Sequence, residues 1–586
     1  MRRTYSIVAP RYAQYVHCAQ FTAESQPHSG ATSCDCSSPA AVRHAPLGRF
    51  AATVLAGALG VATASADGNI QFVENVTCGI AYDLSGSLLG ASLAIGDYDG
   101  DGWEDVLLTG GRPAGMRLYR NQGDRTFADV TATAIPTGLP WASGVMLLDI
   151  DNDADPDIIF AREANNRAWT GFGCLTNDGG VFTLVNTPLE FAKADGRLGG
   201  LAAADLDLDG ALDIVKVHYM GVGFVLQNDG AGGYTDATAS MCLGLAAPRN
   251  SWSPAFGDYN NDGYQDVHVA IDFDPDVQFR NAGSGELVDV SVEANVTNAG
   301  SDMGLAVADM DNDGDLDIYS TNILPHVLYV NDGRGRFVDE AFERGVSRSS
   351  VAIGRGWGTE FADLDLDGDL DLVLVDGSVE GAVFENDGFG YFAKIEATGP
   401  SDLNAYALAA FDHDHDGDLD LLQAASIGWP RLLENVSPGA VGRHWLSARL
   451  EGTFTNRDGV GARVRVTAGG RQMIREVQCG SSFKTCGSRA QHFGLADAET
   501  ADRVEVLWPS GMVTLLENVA ADQSLHIVEP NPDLNHDGAI ELGDLQVLLL
   551  NFGGSGGVED GDFNGNGVVD LADLSSLLTA YALFAL

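Results

Sequence analysis

Aspartates recur in this chain at a spacing that suits one kind of chemistry. In the stretch Asp363-Leu364-Asp365-Leu366-Asp367-Gly368-Asp369-Leu370-Asp371, carboxylates stand at positions one, three, five and nine. Oxygens spaced in this way converge on a hard divalent cation, position seven can add its carbonyl, and position nine closes the cage. Glycine at position six permits the sharp turn. One such loop alone reads equally as a surface Asx-turn. Copy number favours the cation. The other loops are Asp97, Asp99, Asp101 and Asp105; Asp149, Asp151, Asp153 and Asp157; Asp205, Asp207, Asp209 and Asp213; Asp258, Asn260, Asp262 and Asp266; Asp309, Asp311, Asp313 and Asp317; and Asp412, Asp414, Asp416 and Asp420. The second is the poorest copy, with Ala154 in place of glycine and Pro156 intruding, and the fourth has one charge fewer. His413 and His415 fall on even positions and are expected to be solvated and to point away from the ion. Calcium is the expected ion, because magnesium resists so protein-rich a cage.

Two acidic loops of another kind lie near the C-terminus. Asp533, Asn535, Asp537 and Asp544 occupy positions one, three, five and twelve of the first. Asp562, Asn564, Asn566, Asp570 and Asp573 form the second. Each leads into an apolar helix, expected over 545–552 and 574–583. All loops together give up to nine structural calcium sites.

The elements that position these loops repeat with them. Successive first aspartates stand 49 to 56 residues apart, the period of a solenoid or a propeller. Every unit has a small-apolar strand entering the loop and an apolar strand leaving it. A strand ending in Asn follows, then a turn, then a short last strand, as in Val327-Leu328-Tyr329-Val330-Asn331 and Phe337-Val338-Asp339. Four antiparallel strands per unit make a propeller blade. The fold expected over 68–438 is therefore mainly β, a seven-bladed calcium-binding propeller, with an open β-solenoid as the alternative. The last unit lacks a fourth strand. Ile70-Gln71-Phe72-Val73-Glu74 has that strand's pattern, so the N-terminus is expected to close the seventh blade.

Strand order puts the acidic loops and the Asn turns on one side and longer, variable connections on the other. Variable loops on a rigid scaffold are the usual binding surface. Trp141, Trp252 and Trp357 precede first aspartates by six to eight residues, and Arg197, Arg249 and Arg355 by eight or nine. They read either as a ligand platform on that side, with ring stacking and bidentate arginines, or as packing between blades. No Ser/His/Asp or Cys/His set, paired catalytic acids or phosphate loop stands out.

Composition narrows the partners. Asp and Glu number 83 against 33 Lys and Arg, a formal charge of −50, which argues against nucleic acid and anionic membranes. Arg43 and Arg49 precede an apolar run over 50–61, followed by Ala64-Ser65-Ala66. That order is a bacterial export signal over 1–66, too short to span a membrane, and it predicts a secreted or cell-surface protein. Residues 1–42 are long for such a leader, as when a start codon is set too early. Cys479 and Cys486 flank a short loop, and an exported protein would pair them.

The tandem Asp-x-Asp-x-Asp-Gly-x-x-Asp loops resemble FG-GAP (VCBS-type) repeats of integrin-α-like propellers, whose blade hairpins hold structural calcium. From 439 to 530 the aspartate ladder gives way to a small β-domain. His444-Trp445-Leu446, Asn456-Arg457-Asp458-Gly459-Val460-Gly461-Ala462, His492-Phe493-Gly494-Leu495 and Trp508-Pro509-Ser510-Gly511 resemble the ASPIC/UnbV domain of cartilage acidic protein-like and bacterial secreted proteins. That resemblance implies no established chemistry. Residues 531–586, a small α-helical EF-hand-like pair, resemble a type I dockerin, which implies folding on calcium and a cohesin-like or other cell-surface partner. Leu542-Gly543 and Leu571-Ala572 replace the polar pairs of clostridial-type dockerins. The function expected is extracellular binding or adhesion to a glycan or protein through the face opposite the calcium loops. The alternative is a polysaccharide lyase or hydrolase built on the same scaffold.

Overall fold

The structure is a computed structural model. It describes residues 70–584 apart from 85–90, 111–114, 140, 164–169, 186–189, 192–198, 324, 348–354, 378–380, 396–404, 426–427 and 538. The export segment lies outside the described residues, and so does Arg197.

Seven sheets carry the repeats, each with four antiparallel core strands, which follow chain order in six of them. In the fifth, Asp302–Ala308 enters the acidic loop and Asp317–Asn322 leaves it, followed by Val327–Asn331 and Phe337–Asp339. Position along the strands explains their residues. Entering strands are almost wholly buried and rich in small residues, as in Leu201–Ala204 and Ala405–Phe411, because they crowd together at the centre. Last strands bury one side chain near their start, an aromatic in six of the seven, as in Phe337–Asp339. Each entering strand packs beside the next repeat's, and Ala405–Phe411 of the last packs on Ser92–Gly96 of the first. Phe72–Glu74 pairs antiparallel with Arg431–Asn435, Phe72 facing Asn435, so the seventh sheet draws on both ends of the repeat region.

The domain beyond is also β. One sheet has the order Gln491–Ala496, His444–Glu451, Gln523–Val528; the other runs Arg471–Glu476, Arg463–Ala468, Thr500–Leu507, Val513–Ala520. Glu529 ties its ends together. Its Oε2 accepts the amides of Thr453, Phe454 and Thr455, and its Oε1 accepts the Ser510 hydroxyl.

The two C-terminal helices are Leu542–Asn551 and Leu571–Phe584, beginning three residues earlier than the sequence pattern predicts. The reason lies in the twelfth-position aspartates. Asp544 and Asp573 sit inside the first helical turn and accept the amides of Glu541 and Asp570, so they cap the helix rather than precede it. The Leu515 amide donates to the Asn564 carbonyl, 3.1 Å away, and joins this module to the β-domain. Among the described residues no helix is long and apolar enough to cross a membrane.

Candidate metal loops and the space they surround

Each repeat loop is built by its own carboxylates. Asp363 Oδ1 accepts the Asp367 amide at 3.1 Å and Oδ2 the Gly368 amide at 2.9 Å. The same pair of bonds recurs at Asp97, Asp149, Asp205, Asp258 and Asp309. The second loop keeps this geometry despite lacking glycine. Ala154 takes φ +77° there, a strained left-handed turn that costs an alanine about 1–2 kcal/mol.

Ligand atoms converge as the spacing predicts. Oxygens of Asp97, Asp99 and Asp101 lie within 4.8 Å of one another, as do those of Asp205, Asp207 and Asp209, and of Asp309, Asp311 and Asp313. The third position is the telling one. Asp99, Asp151, Asp207, Asp311 and Asp365 each hold one buried oxygen that takes no hydrogen bond. A buried carboxylate oxygen left bare is costly, and five at one position of a repeat fit a cation with oxygen ligands.

The ninth position does a second job. Asp371 Oδ1 accepts the Asn386 amide and Oδ2 the Leu364 amide, and Asp105, Asp157, Asp213 and Asp317 repeat the arrangement. The Asn so held reaches further. Asn386 Nδ2 donates to the Met310 carbonyl, inside the acidic loop of the preceding repeat. Asn177, Asn228, Asn281, Asn331 and Asn435 do the same to Tyr98, Ile150, Leu206, Tyr259 and Leu364. Asn121 reaches His413 of the last repeat, which closes the cycle. The sequence marks these Asn residues only as turn formers; their spacing from the ninth aspartate, 14 to 16 residues in six repeats and 20 in the second, is the signal for the second role. Asn386→Ala removes donors to Met310 and Leu370 and orphans two buried carbonyls. We expect a loss of about 2–4 kcal/mol, read by urea denaturation, against about 0.5 or less for an exposed Asn.

His413 corrects the expectation of a solvated ring, while His415 stays exposed as expected. His413 is fully buried and hydrogen-bonds Asp420 through Nδ1. His415 stacks on Trp103 at 3.9 Å. The first repeat reaches across to both, closing over His413 through Asn121 and stacking Trp103 on the outer face of His415.

Burial pushes Asp105, Asp157, Asp213 and Asp412 up to about 8, and Asp309 and Asp363 to about 7, with neighbouring aspartates adding to the rise. Groups raised in the fold stabilise it while they hold protons. That contribution is complete below about pH 4 and is lost as pH rises through 7 to 8. The EDTA-treated chain should therefore melt higher at pH 5.5 than at pH 8. Calcium, which needs the ionised form, should reverse the order. A melting temperature of the stripped chain that climbs from 5.5 to 8 contradicts this.

The β-domain sits on the acidic-loop side. Arg449 pairs with Asp97 at 3.1 Å, Arg443 with Asp365 at 2.8 Å and Arg471 with Asp369 at 2.7 Å. Asp458 Oδ2 accepts the Asp149 amide, and the Gly494 amide donates to Asp363. From this domain the loop over 479–489 enters the space between the entering strands. Leu93 and Ala94 pair in parallel with Thr485 and Cys486; Ala203 bridges Cys479 and Leu305 bridges Ser482. Thr359 donates its amide to Ser482 Oγ. Cys479 and Cys486 are brought into contact at the base of this loop as buried thiols, sulfurs 3.5 Å apart.

Phe483, at the tip, decides between the two readings of the tryptophans, ligand platform or packing between blades. Trp252 and Trp357 are buried, packed on Phe483 at 5.7 and 4.6 Å and on each other at 5.7 Å. They line an occupied interior rather than an open mouth, because a later domain supplies the aromatic that fills it. Trp141 begins the strand Trp141–Leu148, Arg249 lies part-exposed on Arg249–Gly257, and Arg355 is exposed. The platform does not assemble among the described residues.

Comparison with known proteins matches the two halves separately. The family described as FG-GAP-like repeat matches residues 97–160 and 363–422, and the family described as ASPIC and UnbV matches residues 452–533. The chain carries FG-GAP-like repeats followed by an ASPIC and UnbV domain. Cartilage acidic protein 1 of Xenopus tropicalis is 24% identical over 496 residues, 74% of this chain and 72% of that one. The human protein is 24% identical over 515 residues, 76% and 73% of the two chains. The mouse protein is 24% identical over 353 residues, 57% of this chain, which covers 48% of it, about half its length. Among solved structures, an Agrocybe aegerita lectin that recognises non-reducing terminal N-acetylglucosamine superposes with TM-score 0.37 at 22% identity, over 52% of this chain and 79% of that one. Sqt1 of Saccharomyces cerevisiae gives 0.37 at 12%, over 62% and 100%.

Proposed function

We propose that the chain is an exported, seven-bladed calcium-binding propeller that acts in extracellular binding or adhesion through the side away from its acidic loops. Calcium in the repeat loops is structural. The observation that carries this reading is the ASPIC and UnbV domain itself, which covers the acidic-loop side and sends Phe483 into the interior. The variable connections opposite are then the natural contact surface. Exposed apolar side chains support it. Met220 and Phe273, 58% and 64% exposed, lie just beyond the second strands of adjacent repeats, and Trp429, 56% exposed, stands between the second and third strands of the last. Aromatic and thioether groups held out to solvent suit a glycan ring or an apolar protein patch. The alternative, a polysaccharide lyase or hydrolase, needs a base and a cation where a polymer can reach them, and at Trp252 and Trp357 Phe483 packs instead. Within this reading Cys479 and Cys486 form a disulfide after export. The dockerin-like pair holds two further calcium ions and engages a cohesin-like or other cell-surface partner.

A glycan and matrix-protein array, run with calcium and with EDTA, tests this. A bound target that is lost in EDTA and lost in the double variant Met220→Ser, Phe273→Ser supports the reading. Product release from a polysaccharide, or binding indifferent to both changes, contradicts it.

A further inference from the structure

The interior is not filled throughout. Beneath the β-domain a chamber of about 270 Å³ remains, bounded by Asp302–Ala308, Gly356–Ala362 and Ala405–Phe411 on one side and by Arg471–Glu476 and Gln491–Ala496 on the other. That is the volume of about nine liquid waters.

Three of its wall groups have unmet hydrogen-bonding capacity of different kinds. Arg475 is 8% exposed and lies over the Phe493 ring; Nη1 donates to the Ile474 carbonyl, while Nη2 donates to nothing. Among the described residues no carboxylate stands within ion-pair distance of it. His492 shares a hydrogen bond with the Gly417 carbonyl through Nε2 at 2.9 Å, so the proton is on Nε2 and the unpartnered Nδ1 is a bare acceptor. Burial keeps this ring neutral, with its pKa lowered to about 4. Glu360 Oε2 accepts the Ala410 amide at 3.2 Å, and its Oε1 is turned toward Gly487 of the loop over 479–489. Burial pushes Glu360 up to about 8, so it carries a proton that it can donate.

One wall therefore offers a donor, another an acceptor, and a third both. A bare cation would meet the Arg475 guanidinium. An anion would meet the Glu104 and Glu476 side chains, which also border the chamber. A neutral hydroxyl group both donates and accepts, and meets neither penalty. Phe361 and Phe411 supply apolar wall for the C–H face of a ring. We propose that this chamber is a binding site for a neutral polyhydroxylated molecule of monosaccharide size, held by Arg475, His492 and Glu360. It is separate from the surface connections proposed above to contact an extracellular target.

The test is calorimetric titration of the calcium-loaded full chain with D-glucose, D-galactose and D-mannose, with glucuronate and glucosamine as charged comparators. At least one neutral sugar is expected to bind, and to bind about tenfold or more weakly to Arg475→Met. The charged sugars should bind no better than the neutral ones. Met220→Ser, Phe273→Ser should leave this binding unchanged, which separates it from the surface reading. Should Arg475→Met fail to fold, judged by its melting curve and calcium content, Glu360→Leu carries the same expectation. No heat with any neutral sugar at 50 mM, undiminished binding in the folded variant, or preference for a charged sugar overturns the proposal.

Discussion

Treated with EDTA and desalted, the chain is expected to melt at least about 10 °C lower than in millimolar calcium, and to recover when calcium returns. The size follows from the loops. Each gathers three or four carboxylates, and one oxygen at the third position is buried and bare in five of them. A site held at a thousand times its Kd adds about 4 kcal/mol to the folded state, and one kcal/mol moves the melting temperature by about 2–4 °C in domains of 150 to 250 residues. Two strongly bound loops are enough for the predicted shift. The loops also carry the Asn ties between repeats, since Asn386 and its equivalents donate to the carbonyl at position two of the neighbouring loop. Loosening one loop therefore loosens the next sheet. An unchanged melt after stripping would contradict a structural role for the ion.

Phe483→Ala should be the most damaging single substitution outside the loops, at about 3–5 kcal/mol. The ring is fully buried and touches Trp252, Trp357 and Tyr406, which come from three different repeats. Truncation leaves a cavity that those side chains cannot close, because each is anchored in its own sheet. Two readouts should move together: the urea midpoint, and the near-ultraviolet dichroism of the tryptophans. A loss below about 1 kcal/mol with unchanged dichroism would mean that the loop over 479–489 does not hold the β-domain on the repeats.

What the sequence could show depended on repetition. Seven acidic loops at a near-constant interval revealed the repeat unit, its strand order and the first-strand pattern of small residues. The pairing of Phe72–Glu74 with Arg431–Asn435 was legible because the last unit is one strand short. Features that occur once left no comparable mark. Nothing periodic in Cys479-Gly480-Ser481-Ser482-Phe483 shows that it threads among the entering strands, so the sequence leaves open whether Trp252 and Trp357 face a ligand or pack. The buried His413 was misjudged for a related reason: its even position describes its own loop, while its burial comes from the neighbouring repeat, whose Asn121 binds its carbonyl. No repeat marks the arginines at 443, 449 and 471 in the sequence; the β-domain brings them onto Asp365, Asp97 and Asp369.

The central claim, that the repeated loops are cation sites, is tested most directly by counting the ions. Elemental mass spectrometry of the full chain, dialysed against metal-free buffer after loading, should find calcium at seven to nine per chain, from seven repeat loops and two C-terminal ones. Asp207→Asn combined with Asp209→Asn should remove one. Fewer than two calcium ions per chain, or the same count in the double variant, would contradict the account.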